Sequence, residues 1–403
     1  MNKRTQTEIR YEENVVNNYG KAPLTLVKGA GTRVWDERGN EYLDFVSGIA
    51  VNTLGHSHPV WVRRIQEQAS TLGHCSNLYR NEPQSLLAEK INALAGGGKK
   101  VFFCNSGAEA NEALIKLARL YGKSKAGEEG KCFKILTAEK AFHGRTFGSM
   151  AATPQDKIQG GFRPMLGGFA HGIYNDVESF RKLVDENTCA ILLETIQGES
   201  GILPATMEFL QGIRALCDEH EILLMLDEVQ CGAGRTGKYF NYQHYGIEPD
   251  AVSMAKGIAG GFPMGGIWAL AELGDLFTPG SHGTTFGGTP MACVAALATI
   301  EILEEEHLLD NVTRLSNLLT EELGRLGRKY PHLISGVRGM GFMIALSMKG
   351  DPGRFVTKLM EHGLLTVRAG TDAIRFLPPL NLTEEELQKA ISIVDRCFSE
   401  LSE

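Results

Sequence analysis

The sequence predicts an α/β fold: a large domain built on a mostly parallel central sheet, joined to a smaller α+β domain assembled from the N- and C-terminal segments. Three observations predict it. Between Lys100 and Leu270, short apolar runs alternate with helical stretches, which is the pattern of βαβ units. Several of those runs end on an acid, a lysine or a small polar residue and then meet glycine, as strands do when they deliver side chains to a crevice at a sheet's carboxyl edge. The flanking segments mix short strands with amphipathic helices and lack that alternation. The boundaries fall at 1–70 for the first part of the small domain, 71–305 for the large domain and 306–403 for the rest of the small domain.

Length and composition agree with this layout. A chain of 403 residues, 43% hydrophobic and 22% charged, buries a large core and accommodates two domains. Its net charge of −7 gives no electrostatic support to a nucleic-acid or anionic-membrane partner. No window approaches the ~20 apolar residues of a membrane span, and the polar N-terminus MNKRTQTEIRYEENVVNNYG does not read as a secretory signal. The eight cysteines are scattered without a C-x-x-C, so neither a disulfide framework nor a zinc site is expected, and the expected compartment is the reducing cytoplasm. The 47 glycines cluster in the stretches described below, where they allow backbone to approach a ligand closely.

In chain order, Leu24 to Asp44 reads as short strands around a turn at Asp36–Asn40. FVSGIAVNTLGHSHP, from Phe45, reads as a loop. Its His56-x-His58 has no acidic or cysteine neighbour in sequence and is expected to hydrogen-bond within the loop rather than hold a metal. Val60–Thr71 and Pro83–Ala95 have amphipathic helical spacing. In the large domain, strands are expected at Val101–Cys104, Cys132–Thr137, Cys189–Glu194, Ile222–Asp227, Ala251–Ala255 and Gly266–Leu270. Helices are expected after Asn105, at Asp176–Asp185, Met207–His220 and Thr289–Glu305. The tail is expected to run as a helix from about Asn311 to Leu326, a strand at Val337–Leu346, a helix at Pro352–His362 and short strands at Leu364–Val367 and Ile374–Phe376. A last helix begins at Thr383, whose Glu386 completes a capping box.

The chemistry gathers around the run from Ile222 to Gly266. One apolar strand ends on Asp227 and the next on Lys256. An acid and a lysine brought to one crevice are what pyridoxal phosphate requires: a lysine to bond to it and an acid to pair with its ring nitrogen. Taken singly, Asp227 could cap a turn and Lys256 could be a solvated surface lysine. Asn105-Ser106-Gly107-Ala108-Glu109 joins a strand to a helix and could bind phosphate at the helix N-terminus, or be a plain serine cap. It matches neither G-x-x-x-x-G-K-[ST] nor G-x-G-x-x-G, which disfavours a nucleoside triphosphate or dinucleotide. Phe142 and Arg145 could stack on a ring and hold a carboxylate, or be a core aromatic and a surface arginine. Glu199 follows another strand end and points to the crevice or to solvent. Thr284 and Thr285 lie in a glycine-flanked loop suited to oxyanions, or in an ordinary turn. Arg375 is a charge inside an apolar strand and needs a carboxylate, from Glu199 or from a substrate.

Together these segments resemble the class III, fold-type-I pyridoxal-phosphate aminotransferases, in particular their acetylornithine aminotransferase branch. The resemblance runs from about Ala22 to the end of the chain. It rests on FVSGIAVNTLGHSHP, FFCNSGAEANEALIKLAR, AFHGRTFGSM, IQGESG, LLMLDEVQCGAGRTGKYF, PDAVSMAKGIAGGFPMGG, HGTTFGGTPMACVAAL and RFLPP, occurring in that order. It implies that Lys256 is the Schiff-base lysine. It implies that Asp227 pairs with the ring nitrogen, that Glu228, Val229 and Gln230 line the cofactor with Gln230 near the ring hydroxyl, that Gly107 and Ala108 bind the phosphate, and that Phe142 covers a ring face. Thr285 matches a threonine that reaches the phosphate of a neighbouring subunit, so a homodimer with shared active sites is implied. Arg145 and Thr284 match substrate-contacting positions. Arg375 matches the arginine for the 2-oxoglutarate carboxylate, and Glu199 the glutamate that masks it while the amine donor is bound. Two positions depart from the family pattern: Cys231 stands where Thr is frequent, and Thr284 where Ser is frequent. Thr284 bears on the fine substrate preference.

The implied activity is ping-pong transamination of N2-acetyl-L-ornithine with 2-oxoglutarate, yielding N-acetyl-L-glutamate 5-semialdehyde and L-glutamate, a reaction of arginine biosynthesis. Ornithine, succinylornithine, succinyldiaminopimelate and 4-aminobutyrate are alternative donors. Further alternatives are an internal amino shift like that of glutamate-1-semialdehyde aminomutase, which needs no keto acid, and a non-catalytic pyridoxal-phosphate-binding protein.

Overall fold

The computed structural model describes residues 4–402. Leu26–Ala30 (β1), Arg33–Asp36 (β2) and Glu41–Asp44 (β3) form an antiparallel sheet. The Asp36 carboxylate makes the turn between β2 and β3 by accepting the backbone N–H groups of Arg38 and Asn40, each at 2.9 Å. The fourth strand of this sheet, Leu364–Leu365, comes from the far end of the chain and runs parallel to β3. The N- and C-terminal segments are therefore hydrogen-bonded to each other.

The central sheet comprises Lys99–Cys104 (β4), Lys134–Ala138 (β5), Phe169–Gly172 (β6), Thr188–Glu194 (β7), Leu223–Asp227 (β8), Ala251–Met254 (β9) and Gly265–Leu270 (β10). Its order is β4-β10-β9-β8-β7-β5-β6. The sheet is parallel except for β10, which is antiparallel to β9 and β4. Every residue of β7 and β8 is buried, which is why both read as unbroken apolar runs rather than alternating ones. Helices Gly107–Ala126, Met207–His220 and Pro290–Glu305 belong to this region. One cluster of buried side chains extends from Leu43 and Phe45 through Leu193 and Leu226 to Phe376 and Phe398. Each fully buried leucine there contributes roughly 1.5–3 kcal/mol.

The remaining chain supplies Leu308–Lys329, Pro352–Glu361 and Glu384–Ser402 as helices. It also supplies a four-stranded antiparallel sheet of Ile334–Met340 (β11), Met343–Met348 (β12), Val367–Ala369 (β13) and Ala373–Phe376 (β14), in the order β11-β12-β14-β13. The capping box at Thr383 and Glu386 is present.

Several elements differ from the sequence expectation; the expected strand Leu364–Val367, for instance, is divided between two sheets as Leu364–Leu365 and Val367–Ala369. The expected single strand Val337–Leu346 is a hairpin, turned at Gly341 with φ +57°, a conformation glycine adopts without strain. The helix expected over Asp176–Asp185 covers only Val177–Arg181. β6 was not expected, because FAHG is short and weakly apolar; pairing with β5 defines it. Gln6–Asn14 is a helix that buries none of its residues; a capping box between Thr5 and Glu8 starts it.

Candidate active site

Three parallel strands end side by side. In the sheet register, Asp227 at the end of β8 lies opposite Glu194 of β7 and Ser253 of β9. A single residue, Ala255, follows Met254 before Lys256 begins a short 3-10 helix. These strand ends border a cavity of about 620 Å³, lined among others by Gly107, Ala108, Asn111, Phe142, His143, Arg145, Glu194, Asp227, Val229, Gln230 and Lys256.

Asp227 is the most constrained group in it. The side chain is 4% exposed. Its Oδ2 accepts from Nδ1 of His143 at 2.8 Å and from Nδ2 of Asn111 at 2.7 Å, and its Oδ1 accepts from the backbone of Val229 at 3.0 Å. Asn111 is oriented in turn by the Ser253 hydroxyl, which donates to its Oδ1 at 2.7 Å. Burial alone would lower the pKa of His143, but the adjoining Asp227 carboxylate outweighs it and holds the imidazole above its ordinary value.

Lys256 has φ +47°, a left-handed conformation that is sterically costly for a side chain with a Cβ. Burial lowers its amine pKa, against the opposing pull of Glu199 and the further depression from Arg375. More of the amine is therefore in the neutral, nucleophilic form at a given pH.

The opposite wall is the start of helix Gly107–Ala126, where the Ser106 hydroxyl caps the N-terminus by accepting from Glu109 N at 3.2 Å. A Cβ at Gly107 would stand 2.7 Å from Cγ1 of Val229, so only glycine lets this helix end approach the loop after β8. The uncapped first-turn N–H groups and the helix dipole favour an anion there. Phe142 donates its backbone N–H to Glu194 at 2.9 Å, and the Arg145 guanidinium lies 5.8 Å from the Phe142 ring. Arg145 is exposed at the cavity.

Behind Gln230 sits a second cluster. Nη1 of Arg375 donates to Glu199 at 2.7 Å, to Gln230 Oε1 at 2.9 Å and to Gly198 O at 3.2 Å. Arg375 is 1% exposed, and among the described residues its Nε has no partner. Burial pushes the Glu199 pKa up, but the Arg375 charge more than reverses this and holds it below the ordinary range. A depressed carboxylate stabilises the fold above its unfolded pKa and loses that contribution as pH falls through the folded one, so this pair weakens only on acidification.

The structure thus brings Lys256, Asp227, Gly107, Ala108, Phe142, Val229, Gln230 and Arg145 to one cavity, with Glu199 and Arg375 directly behind Gln230. Besides Glu199 and Arg375, three further expected residues do not border that cavity. Glu228 faces the other way: its two carboxylate oxygens accept the backbone N–H groups of Asn241 and Tyr242, each at 2.6 Å. Successive side chains at a strand end point to opposite faces, which puts Glu228 on the side away from Asp227. The Thr284 hydroxyl accepts from Nδ2 of Asn105, across from its own loop, at 3.0 Å and from Gly287 N within it at 3.2 Å. Thr285 is exposed. His143, Asn111 and Glu194 were missed as site residues. His143 and Asn111 stand inside the motifs noted in the sequence, Asn111 one turn after Gly107 on the helix face toward Asp227, and Glu194 ends an expected strand. Burial pushes the Glu194 carboxyl up to about 7, although it accepts from Phe142 N and Gly198 N.

Among the described residues no group of three or more His, Cys, Asp or Glu could hold a metal, and no helix is long and apolar enough to cross a membrane. His56 pairs with Asp44 at 2.8 Å and His58 with Glu306 at 3.0 Å.

Comparison with known proteins places this geometry. A family model described as Aminotransferase class-III matches residues 15–398. The chain is 48% identical over 395 residues to the acetylornithine aminotransferase of Caldanaerobacter subterraneus subsp. tengcongensis, covering 98% of this chain and 99% of that one. The fold superposes on an ornithine aminotransferase from Toxoplasma gondii, in whose active site pyridoxal phosphate is partially occupied, with a TM-score of 0.93, 31% identity and coverage of 98% and 94%. It also superposes on the acetylornithine aminotransferase of Elizabethkingia anophelis with a TM-score of 0.86, 34% identity and 97% coverage of both chains.

Proposed function

The chain belongs to the class-III aminotransferases, and from that premise we propose that it moves the δ-amino group of N2-acetyl-L-ornithine to 2-oxoglutarate, giving N-acetyl-L-glutamate 5-semialdehyde and L-glutamate. It is a pyridoxal-phosphate-dependent enzyme. The single observation that carries the reading of its site is the arrival of Lys256 and a histidine-paired Asp227 at one cavity, opposite a helix N-terminus.

The residues present fit the cofactor. Gly107 and Ala108 would hold its phosphate, Phe142 and Val229 would flank its ring, Asp227 would pair with the ring nitrogen, Gln230 would meet the ring hydroxyl, and Lys256 would carry it covalently. When bound, pyridoxal phosphate supplies an electron sink for the charge left on a substrate carbon that loses its proton. Lys256 then serves as the proton carrier: its neutral Nζ takes the proton from the donor's δ carbon and later delivers one. Asp227, oriented by His143 and Asn111, would keep positive charge at the ring nitrogen. Arg145, unpaired at the cavity, suits the donor's α-carboxylate and leaves the distal amine to point inward. Thr285, exposed and away from this cavity, suits a role in the cavity of a second copy, so the working unit is a homodimer. The free cysteines fit a reducing, cytoplasmic setting.

The donor is tested by adding candidate amines one at a time to the holoenzyme, without keto acid, and following the cofactor's absorbance. Acetylornithine is expected to convert it fastest. No conversion by acetylornithine, with ready conversion by ornithine, succinylornithine, succinyldiaminopimelate or 4-aminobutyrate, would reassign the substrate.

The Glu199–Arg375 pair supports alternation between two substrates of different charge. Closed, it cancels the arginine; opened, it offers Arg375 to the second carboxylate of 2-oxoglutarate or glutamate. Glu199→Gln leaves Arg375 uncompensated. The variant is expected to shift the ratio of half-reaction rates toward glutamate over acetylornithine by on the order of tenfold. Single-turnover rates with each amine check it, and an unchanged ratio removes the switch.

A further inference from the structure

Arg235 is a buried cation without a buried anion to hold. It is 2% exposed and ranks with Arg375 among the largest fully buried side chains. Among the described residues it forms no ion pair. Burial lowers its pKa to about 9, with Asp44 pulling the other way, which leaves the guanidinium charged at neutral pH. Burying such a group is costly unless its donors find good acceptors. The acceptors it has are backbone carbonyls: Nη1 donates to Pro378 O and, at 3.5 Å, to Phe342 O. Phe342 returns a hydrogen bond, its N–H reaching Arg235 O at 2.9 Å. The turn at Gly341 fits against this loop so closely that a Cβ there would stand 2.5 Å from Arg235 O.

The position of these partners matters more than their number. Pro378 lies three residues beyond Arg375, and Gln230, five residues before Arg235, accepts from Arg375 itself at 2.9 Å. One loop, 230–235, therefore grips the segment 375–378 at both ends. The opposite side of that segment is held by Phe45 O, which accepts from Leu377 N at 2.7 Å, and by the Ser47 hydroxyl, which donates to Leu377 O at 2.7 Å. Arg375 needs such outside support. Its hydrogen bonds to Glu199, Gln230 and Gly198 all leave from Nη1, and among the described residues its Nε has none. Once Glu199 swings away, the direction of the guanidinium depends on the backbone that carries it.

We propose that Arg235 is a positioning residue for the keto-acid half of the reaction: by tying the loop after Gln230 to the carbonyl of Pro378, it fixes the backbone that aims Arg375. The proposal rests on the reading that Arg375 receives a carboxylate of 2-oxoglutarate. The donor half-reaction, in which Arg375 is masked by Glu199, does not draw on that aim. Arg235 thus separates two Michaelis constants that a purely structural arginine would move together.

The test uses the holoenzyme with both substrates varied, comparing Arg235→Met, Arg235→Lys and Arg375→Met. Displacing a binding group by about 1 Å costs up to ~10²-fold, and a partial shift in Arg235→Met is expected to raise KM for 2-oxoglutarate about tenfold. Arg235→Lys, which keeps a charge but not the reach of the fork, is expected to raise it less. KM for acetylornithine and the rate of its half-reaction are expected to stay within about twofold of wild type. Equal rises in both KM values, or none, overturn the proposal. If Arg375→Met leaves KM for 2-oxoglutarate unchanged, the reading of Arg375 has failed. If Arg375→Met raises it while the Arg235 variants do not, only the positioning role has failed. Hydrogen exchange on the wild-type holoenzyme decides the case where the Arg235 variants do not fold. Glutarate, an unreactive dicarboxylate, is expected to slow exchange of the Phe342 amide several-fold, and no slowing overturns the link between Arg235 and Arg375.

Discussion

Lys256→Ala is expected to lower turnover by at least ~10³–10⁴-fold, because it removes the proton carrier from a site that holds no substitute. Six other groups with charge or a titratable proton border the cavity, among them Tyr19, which is largely exposed, and Cys231, whose thiol burial pushes well above its ordinary range. Asp227 carries three hydrogen bonds, one of them to His143. Glu194 accepts one backbone N–H on each oxygen. Arg145 has no lone pair to offer at any accessible pH. Burial tunes two groups toward the working range, raising Glu194 to about 7 and lowering Lys256, but both Glu194 oxygens are already held by backbone N–H groups. The substitution should not disturb the fold: alanine meets the same left-handed φ of +47° that lysine already tolerates, with the same Cβ. Stopped-flow absorbance with acetylornithine gives the rate, and a small primary amine added to the solution is expected to restore part of it. Appreciable residual transamination without added amine would sink the assignment of Lys256.

How far the site was legible in the sequence follows from where its partners lie along the chain. Asp227 and Lys256 could be placed because each ends an apolar run, and a parallel sheet delivers strand ends to one edge. The loop at Gly107 could be placed for a similar reason: Ser106 caps a helix directly after a strand. Arg375 stood out as a charge among apolar neighbours and found the carboxylate it needed in Glu199, 176 residues away. The His143–Asp227–Asn111–Ser253 chain was not legible. Its bonds span separations of 84, 116 and 142 residues, and no spacing rule connects them. Glu228 departs from the lining that its motif implies because neighbours at a strand end face opposite ways. The hairpin at Gly341 was read as one strand because Gly-Met-Gly-Phe offers no polar turn residue. Its geometry is set by contact with the loop around Arg235, a tertiary constraint that local sequence does not carry.

Asp227→Asn is expected to produce the second largest loss, about 10²–10³-fold in the donor half-reaction, the scale seen when one preorganised electrostatic contact to a developing charge is removed. The carbon proton is easier to remove when positive charge persists at the ring nitrogen, and only an anionic partner keeps it there. Asparagine preserves size but not charge. It also turns an acceptor that served two donors, His143 Nδ1 and Asn111 Nδ2, into an amide with a single oxygen. The variant carries a separate signature in its stability. In wild type, the Asp227 carboxylate raises the folded-state pKa of His143 above the ordinary 6.5, so His143 contributes stability that is full below that value and is lost as pH rises through the raised one. In Asp227→Asn the raising cause is gone and burial dominates, so the folded pKa drops below 6.5. Its contribution then reverses: the variant loses stability as pH falls below the ordinary value, because the unfolded chain takes up a proton that the folded site rejects. Thermal melts of the two proteins between about pH 8 and 5.5 should therefore diverge on acidification, with the gap widest at the acid end. A constant gap across that range would mean that Asp227 does not hold the proton on His143, and activity within about tenfold of wild type would mean that Asp227 does not hold positive charge at the ring.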